Sequence, residues 1–272
     1  MANTITFHSF KGGSGRSVLL ANVSAYLAGL GYRVVCIDFD LEAGGLHQVF
    51  HVNKERIGLN ILDYLTANNP PPLDQIVMDI SQDFAIEEPG KLYLIPAISV
   101  INQLTEIHQN QIEILQKLHE IVEEISESYN PHFIMIDLKA GFTDFSLQPY
   151  QNLANAAIVV LRSNRQNVEG VGLLFSALRQ LRYQPVYHVV LSQFPNVADS
   201  DVIIDQLAHR LGEVILGRGL RFGEVVPSHP RLALEESVIS IDQNVPLEEK
   251  KPYLNIGKWL VETFNLADRT RG

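Results

Sequence analysis

Two rhythms of apolar residues alternate along this chain. Short β-branched runs predict strands at 4–8, 33–38, 92–96, 133–137, 157–161, 186–191 and 223–227. Longer stretches with apolar residues at helical spacing predict helices at roughly 17–29, 101–128, 168–181, 201–211 and 251–266. Several short runs (VVCI, FIMI, AIVVL, VVL) are apolar without alternation, as strands buried on both faces are. Strands and helices alternating in this way predict an α/β fold, a doubly wound, mostly parallel sheet with helices on both faces. The stretch YLAGLGYR ends the first helix at Gly29 and Gly31, both suited to left-handed stops. The proline-rich break NNPPPLDQ at 68–75 is short and flanked by periodic structure, so it reads as a surface loop. No repeat interrupts the pattern, and 1–272 is expected to form a single domain.

Composition narrows the function. Hydrophobic residues make up 46% of the 272 and charged residues 19%, the balance of a soluble globular chain with a real core. No apolar run reaches membrane-spanning length, and the start TITFHSF lacks a basic leader, so a cytoplasmic protein without a stable membrane anchor is expected. The single cysteine, Cys36, excludes an internal disulfide and any multi-cysteine metal or iron–sulfur site built by one chain. Lying in RVVCIDF, it reads as a core residue. A net charge of −10 argues against broad attraction to DNA or anionic lipid, which needs clustered cations.

The densest chemistry lies between the first strand and the first helix, in SFKGGSGRS. Gly12, Gly13 and Gly15 allow backbone conformations closed to other residues, so that successive N–H groups can turn inward toward phosphate oxygens. The helix start adds unpaired amides and partial positive charge. Lys11 and Arg16 supply cations, and Ser17 a hydroxyl placed for Mg²⁺. An ordinary turn needs about one glycine, not this set. Against the strict pattern G-x-x-x-x-G-K-[ST], Phe10 stands at the first glycine and Arg16 at the lysine. Two carboxylate-bearing segments follow at predicted strand ends. RVVCIDFDLEAGGL carries Asp38 and Asp40, and HFIMIDLKAGF carries Asp137. In open parallel sheets ligands collect at this edge, although strand-end carboxylates also commonly just face solvent.

KGGSGRS resembles the deviant P-loop of the ParA/MinD superfamily, K-G-G-x-G-K-[ST], in its KGGxGR variant. The resemblance is specific over 8–17, 36–46 and 133–141 and implies a SIMIBI-like P-loop NTPase fold binding ATP or ADP with Mg²⁺. It implies that Lys11, Gly12, Gly13, Ser14, Gly15, Arg16, Ser17 and Val18 bind the nucleotide. Lys11 would reach across a nucleotide-dependent homodimer, Asp40 would orient the attacking water, and Lys11 and Arg16 would stabilise phosphoryl charge. Ser17, Asp38 and Asp137 would hold or support the metal, and Gly141 would offer an amide near the γ-phosphate. The family's D-x-P-A-G reads Asp137-Leu138-Lys139-Ala140-Gly141 here, with Lys139 expected in solvent. VVPSHPRLALEESV resembles the family's element near the adenine. The family's adenine-binding asparagine finds no match in Leu191-Ser192-Gln193-Phe194-Pro195, so no adenine contact is assigned.

The resemblance implies an ATPase that positions or partitions a cargo, DNA or a protein assembly, with an unknown cargo or activator as partner. A nucleotide-binding regulatory or scaffold protein with little hydrolysis is the alternative, motivated by Arg16 and the LKAG stretch. A tyrosine kinase on a similar P-loop would carry a terminal tyrosine cluster, whereas Tyr253 stands alone, and an iron-protein reductase lacks its cysteine pair. Cations that would serve non-specific DNA (Arg179, Arg182, Arg210, Arg218, Arg221, Lys250, Lys251 and Lys258) are scattered among acids, so that partner is weakly supported. Trp259, Leu260 and Phe264 near the end read as a last helix packed on the core.

Overall fold

The structure, a computed structural model, describes residues 2–141, 143–178, 180, 182–215, 222–229, 232 and 235–266. Its elements run β1 (Asn3–Ser9), α1 (Arg16–Gly29), β2 (Arg33–Phe39), α2 (Leu46–Val49), α3 (Ile61–Thr66), β3 (Met78–Asp79) and β4 (Lys91–Ile95). They continue through α4 (Ile101–Gln109), α5 (Gln111–Tyr129), β5 (Phe133–Leu138), α6 (Asp144–Asn152), β6 (Ala156–Leu161) and α7 (Arg165–Leu178). The last are β7 (Val186–Phe194), α8 (Ser200–Ile215), β8 (Glu224–Pro227) and α9 (Leu247–Thr263). Among the described residues they build one sheet, ordered β3-β4-β2-β5-β1-β6-β7-β8. Every pairing is parallel except the short β3 against β4.

That order puts β1 between β5 and β6, so the bend leaving β1 lies where connections diverge to opposite sides of the sheet. Alternation along the strands sorts the core. Ile5, Phe7, Cys36 and Met135 pack on one face beneath α1 and α9, while Val35, Ile134 and Val159 pack on the other beneath α5 to α7. α1 is apolar almost all round and correspondingly buried. Its one buried mid-helix amide is satisfied. Asn22 donates to the carbonyls of Val18 and Ser237 and accepts from the amides of Ile239 and Ser240, which fastens the chain leading into α9. Trp259 packs against His188 with ring centroids 4.2 Å apart and the rings tilted, and Leu260 is fully buried, so the last helix packs on the core as its pattern predicts. Cys36 is likewise a buried free thiol, pushed up to about 12 by desolvation.

The expected 101–128 helix is two helices. Asn110, at φ −118 and ψ 36, breaks the ladder between them, and nothing in the amphipathic pattern marks that break. α6 and the short α2, α3 and β3 were not foreseen. α6 carries Pro149 inside it, and each of the others is too short for periodicity to register. α9 starts earlier than expected, directly after Pro246, with Glu248 and Glu249 complementing the positive end of its first turn.

The fold also explains the first departure from the strict phosphate pattern. Phe10 packs on α7, and a Cβ added at Gly170 would lie 2.0 Å from its ring. Gly170→Ala is therefore expected to lower stability by about 1–3 kcal/mol through overpacking, despite better helix propensity. Adding Phe10→Gly should restore most of the loss in urea denaturation, and an uncoupled pair would disprove the contact.

Candidate functional site

The site is built where β1, β2 and β5 end together. Gly13 (φ 71) and Gly15 (φ 80) are left-handed, so the chain reverses tightly from β1 into α1. Gly15 is the N-cap of α1 and offers no side chain to its first-turn amides, leaving those donors for an anion. A Cβ at Gly12 or Gly13 would meet nothing within 4 Å, so the mouth of this bend opens to free space. Ser14 is buried, while Gly12 and Gly13 are exposed. Lys11 is exposed and lies along its own chain, its Nζ 2.6 Å from Oε1 of Gln166 on α7.

Beneath the bend lies a buried charge cluster. In the β2–β5 register Asp38 is directly opposite Asp137, so the two carboxylates share one face. Arg16 reaches over them from the first turn of α1. Its Nε donates to Asp137 Oδ1 and its Nη2 to Asp40 Oδ2 at 3.0 Å. Ser17 donates its hydroxyl to Asp137 Oδ2 at 2.5 Å, so both oxygens of Asp137 are engaged. Arg16 is only 7% exposed and Asp137 1%. Burial opposes the Arg16 charge, but Asp137 and Asp40 outweigh it and hold the guanidinium above its ordinary value. Desolvation also holds the Asp137 carboxyl above its usual range, against the pull of Arg16 and Ser17. The pair is ionised at neutral pH, because a guanidinium does not give up its proton and two donors converge on Asp137.

Asp38 is turned to backbone instead. Its carboxylate accepts from the amides of Asp40 (3.2 Å) and Leu46 (3.0 Å), folding the loop after β2 around itself. Burial and the Asp137 charge push it up to about 8. Lys139, expected in solvent, is paired as well as partly exposed. Its Nζ lies 2.5 Å from Glu42 Oε1, and the same oxygen is 2.6 Å from His108 Nε2 on α4. The Lys139 bond, against some desolvation and with help from His108, holds the Glu42 carboxyl below its ordinary value. The Gly141 amide, expected to face a phosphate, donates to the Ser9 carbonyl at 3.0 Å in this structure. Here β1 and the loop after β5 come close enough to close that backbone bond.

Beside Gly15 and Val18 lies a cavity of about 120 Å³, lined also by Ser192 and Gln193 at the end of β7, Pro227 and Tyr253. Gln193 takes a left-handed φ of 52, and a Cβ at Gly15 would lie 3.1 Å from its amide nitrogen and from Ser192 Oγ. A larger concavity, about 1290 Å³, lies between α5 and α6, away from the charge cluster. Among the described residues no group of three or more His, Cys, Asp or Glu is arranged to hold a metal by itself. Of the residues singled out by sequence, the structure gathers Arg16, Ser17, Asp40 and Asp137 into contact and leaves Lys11 apart on α7. Sequence reading missed Gln166, Glu42, His108, Tyr253 and the lining role of Ser192 and Gln193. Only a departure from pattern hinted at any of these, at Lys139 and at Gln193.

The sheet order and the glycine bend over strand-end carboxylates define the P-loop NTPase class. A family model described as an AAA domain matches residues 2–189, and the chain belongs to that family. Among solved structures it is similar to the septum site-determining protein MinD complexed with Mg-ADP from Pyrococcus horikoshii OT3, at 17% identity and a TM-score of 0.73, covering 98% of each chain. A ParA family ATPase from Chlorobium tepidum TLS aligns at 19% identity and TM-score 0.70, over 95% of this chain and 99% of that one. A putative plasmid partition protein from Borrelia burgdorferi B31 bound to AMPPNP aligns at 19% and 0.67, over 97% and 100%. At these identities the likeness is one of fold. No curated protein matches the chain by sequence.

The Arg16 cluster makes a direct prediction. Arg16→Ala strands the buried Asp137 charge and should cost about 3–5 kcal/mol at pH 7.5. Without its partner, Asp137 has a folded-state pKa still further above its unfolded one, and stability falls as pH rises between the two. Urea denaturation should therefore show a smaller loss at pH 5 than at pH 7.5. A pH-independent loss would mean that the damage is not electrostatic.

Proposed function

We propose that the chain is a Mg-ATP-dependent switch, a single 1–272 ATPase domain that dimerises around nucleotide in the bacterial cytoplasm and positions or partitions a cargo. The observation that carries this reading is the uncapped start of α1 over a left-handed glycine bend, directly above the Arg16–Asp137–Asp40 cluster. Free amides and partial positive charge at a helix start suit the β- and γ-phosphates of ATP. The small cavity beside Gly15, Val18 and Gln193 suits the adenine. Similar folds solved with Mg-ADP and with AMPPNP lend support.

The donor set fits Mg²⁺, an ion that keeps several waters and takes few protein ligands, so that Ser17 Oγ with Asp137 behind it is sufficient. When bound, the ion would supply positive charge that neutralises the phosphates. Asp38 contributes through the loop it fixes, since its oxygens already accept two backbone amides. For hydrolysis, Asp40 must give up its bond to Arg16 and turn to the water that attacks the γ-phosphorus. Water's oxygen bonds phosphorus as one of its protons passes to Asp40 and on to solvent, the bond to the β–γ bridging oxygen breaks, and ADP leaves with that electron pair. Arg16, released toward the phosphates, carries positive charge to the transferring group. Lys11 must leave Gln166 and reach the nucleotide of a second copy.

A second reading, a nucleotide sensor with slow or no turnover, is favoured by the same cluster, because Arg16 is committed to two carboxylates instead of the cradle. Steady-state phosphate release, alone and with candidate activators, separates the two. Non-specific DNA has little support on the surface. Lys250 is bonded to the Asp242 carbonyl, and Arg179, Arg218 and Arg221 lie outside the described residues. No helix of the described residues is long and apolar enough to cross a membrane.

Lys11→Ala is expected to weaken ATP-dependent dimerisation in sedimentation at least tenfold, with monomer affinity for ATP changed less than threefold, roughly the cost of one charge-assisted contact. Equal losses would make Lys11 a ligand of its own nucleotide only. Asp40→Ala should bind ATP, turn over at under about a hundredth of the normal rate, and accumulate as the ATP-bound dimer. Unchanged phosphate release would remove Asp40 from that role.

A further inference from the structure

His8, the penultimate residue of β1, has no part in the phosphate cradle, yet it is fully buried beside it. Its Nε2 lies 2.7 Å from the carbonyl oxygen of Gly141. A carbonyl only accepts, so Nε2 carries the proton and donates. Burial, with the Arg16 charge adding to it, pushes the imidazole down to about 4, and it is neutral in ordinary buffers. Its Nδ1 is then a bare acceptor, buried and without a partner among the described residues. The ring packs on Tyr150 of α6 with centroids 5.6 Å apart, and α6 is the helix that the Gly141 loop leads into.

The next residue completes the grip. Gly141 donates its amide to the Ser9 carbonyl at 3.0 Å, and Gly141 sits at φ +117, a conformation that side-chain-bearing residues rarely adopt. Two consecutive residues of β1, immediately before the phosphate bend, thus hold both polar groups of one glycine in the loop after β5. The two bonds belong to different peptide units. Turning the 140–141 peptide frees the amide from Ser9 but leaves the Gly141 carbonyl, in the 141–142 peptide, on His8.

We propose that His8 is a positioning residue, the pivot that keeps Gly141 over the site while its amide exchanges the Ser9 carbonyl for the third phosphate of ATP. This rests on the nucleotide-switch reading above. ADP has no third phosphate to compete for that amide, so the pivot bears on the discrimination between ATP and ADP more than on the affinity for either phosphate chain alone. A buried imidazole is suited to the task, because it donates from a fixed ring and loses little conformational freedom in doing so.

The test uses His8→Ala and His8→Gln in the full chain, with two readouts. In nucleotide-free protein, hydrogen exchange over 139–145 should quicken at least tenfold in His8→Ala and stay near normal in His8→Gln, whose amide can still donate to Gly141. In titrations with Mg-ATP and Mg-ADP, His8→Ala should narrow the ratio of the two affinities about fivefold or more. ADP affinity should change less than twofold, and His8→Gln should restore the ratio. Where His8→Ala does not fold, His8→Asn, polar but too short to reach Gly141, takes its place. Unchanged exchange over 139–145, or parallel loss of ATP and ADP affinity, overturns the proposal. If the unaltered protein binds neither nucleotide, the switch reading fails and the ATP/ADP role assigned to His8 fails with it, while the exchange readout shows separately whether the grip on Gly141 exists.

Discussion

The site depends on one buried cation. Arg16 is nearly removed from solvent, and carrying a guanidinium inside costs several kcal/mol unless carboxylates meet it. Asp137 from the end of β5 and Asp40 from the loop after β2 do so, and Ser17 occupies the oxygen of Asp137 that Arg16 leaves free. Three segments far apart in sequence are thereby bound at one point below the glycine bend. Any anion entering the bend competes with two carboxylates for the same arginine. The loop bearing Asp40 and the end of β5 bearing Asp137 are thereby tied electrostatically to the start of α1.

Two further links join the same loops at the periphery. Glu42, two residues beyond Asp40, holds Lys139, two residues beyond Asp137, and also meets His108. At the end of β1, His8 and Ser9 hold Gly141. An exposed ion pair such as Glu42–Lys139 contributes little stability by itself. It joins the loop after β2 to the loop after β5. Asp38 adds to this from within, since its two backbone bonds set the shape of the chain between Asp40 and Leu46. The arrangement resembles a clamp closed by charge at its centre and by hydrogen bonds at its edges.

Much of the framework was legible in the chain. The strands that read as unbroken apolar runs, at β2, β5, β6 and β7, lie in the sheet interior, and their positions are buried apart from the first of β2 and Val186, Tyr187 and Gln193 of β7. The glycine spacing placed the bend, since left-handed backbone at Gly13 and Gly15 is a local requirement that a sequence displays openly. The break at Asn110 and the helix containing Pro149 were not legible, because neither alters the apolar period that sequence reading uses. Phe10 looked like a defect in a motif until Gly170 was found beneath it, 160 positions away in the chain and in contact in the fold.

What the sequence determined alone is therefore the part that physics fixes locally: alternating strands and helices, a glycine bend at the first strand's end, and acids at the ends of two others. What only the tertiary structure decided is how those charges are used. Arg16 faces carboxylates, Lys11 lies on Gln166, Gly141 gives its amide to Ser9, and His8 becomes a donor inside the core. A residue's type announces which bonds it can make. Which bond it does make depends on the partners that chain folding brings within about 3 Å, the reach of a hydrogen bond, and those partners come from segments that no local pattern connects.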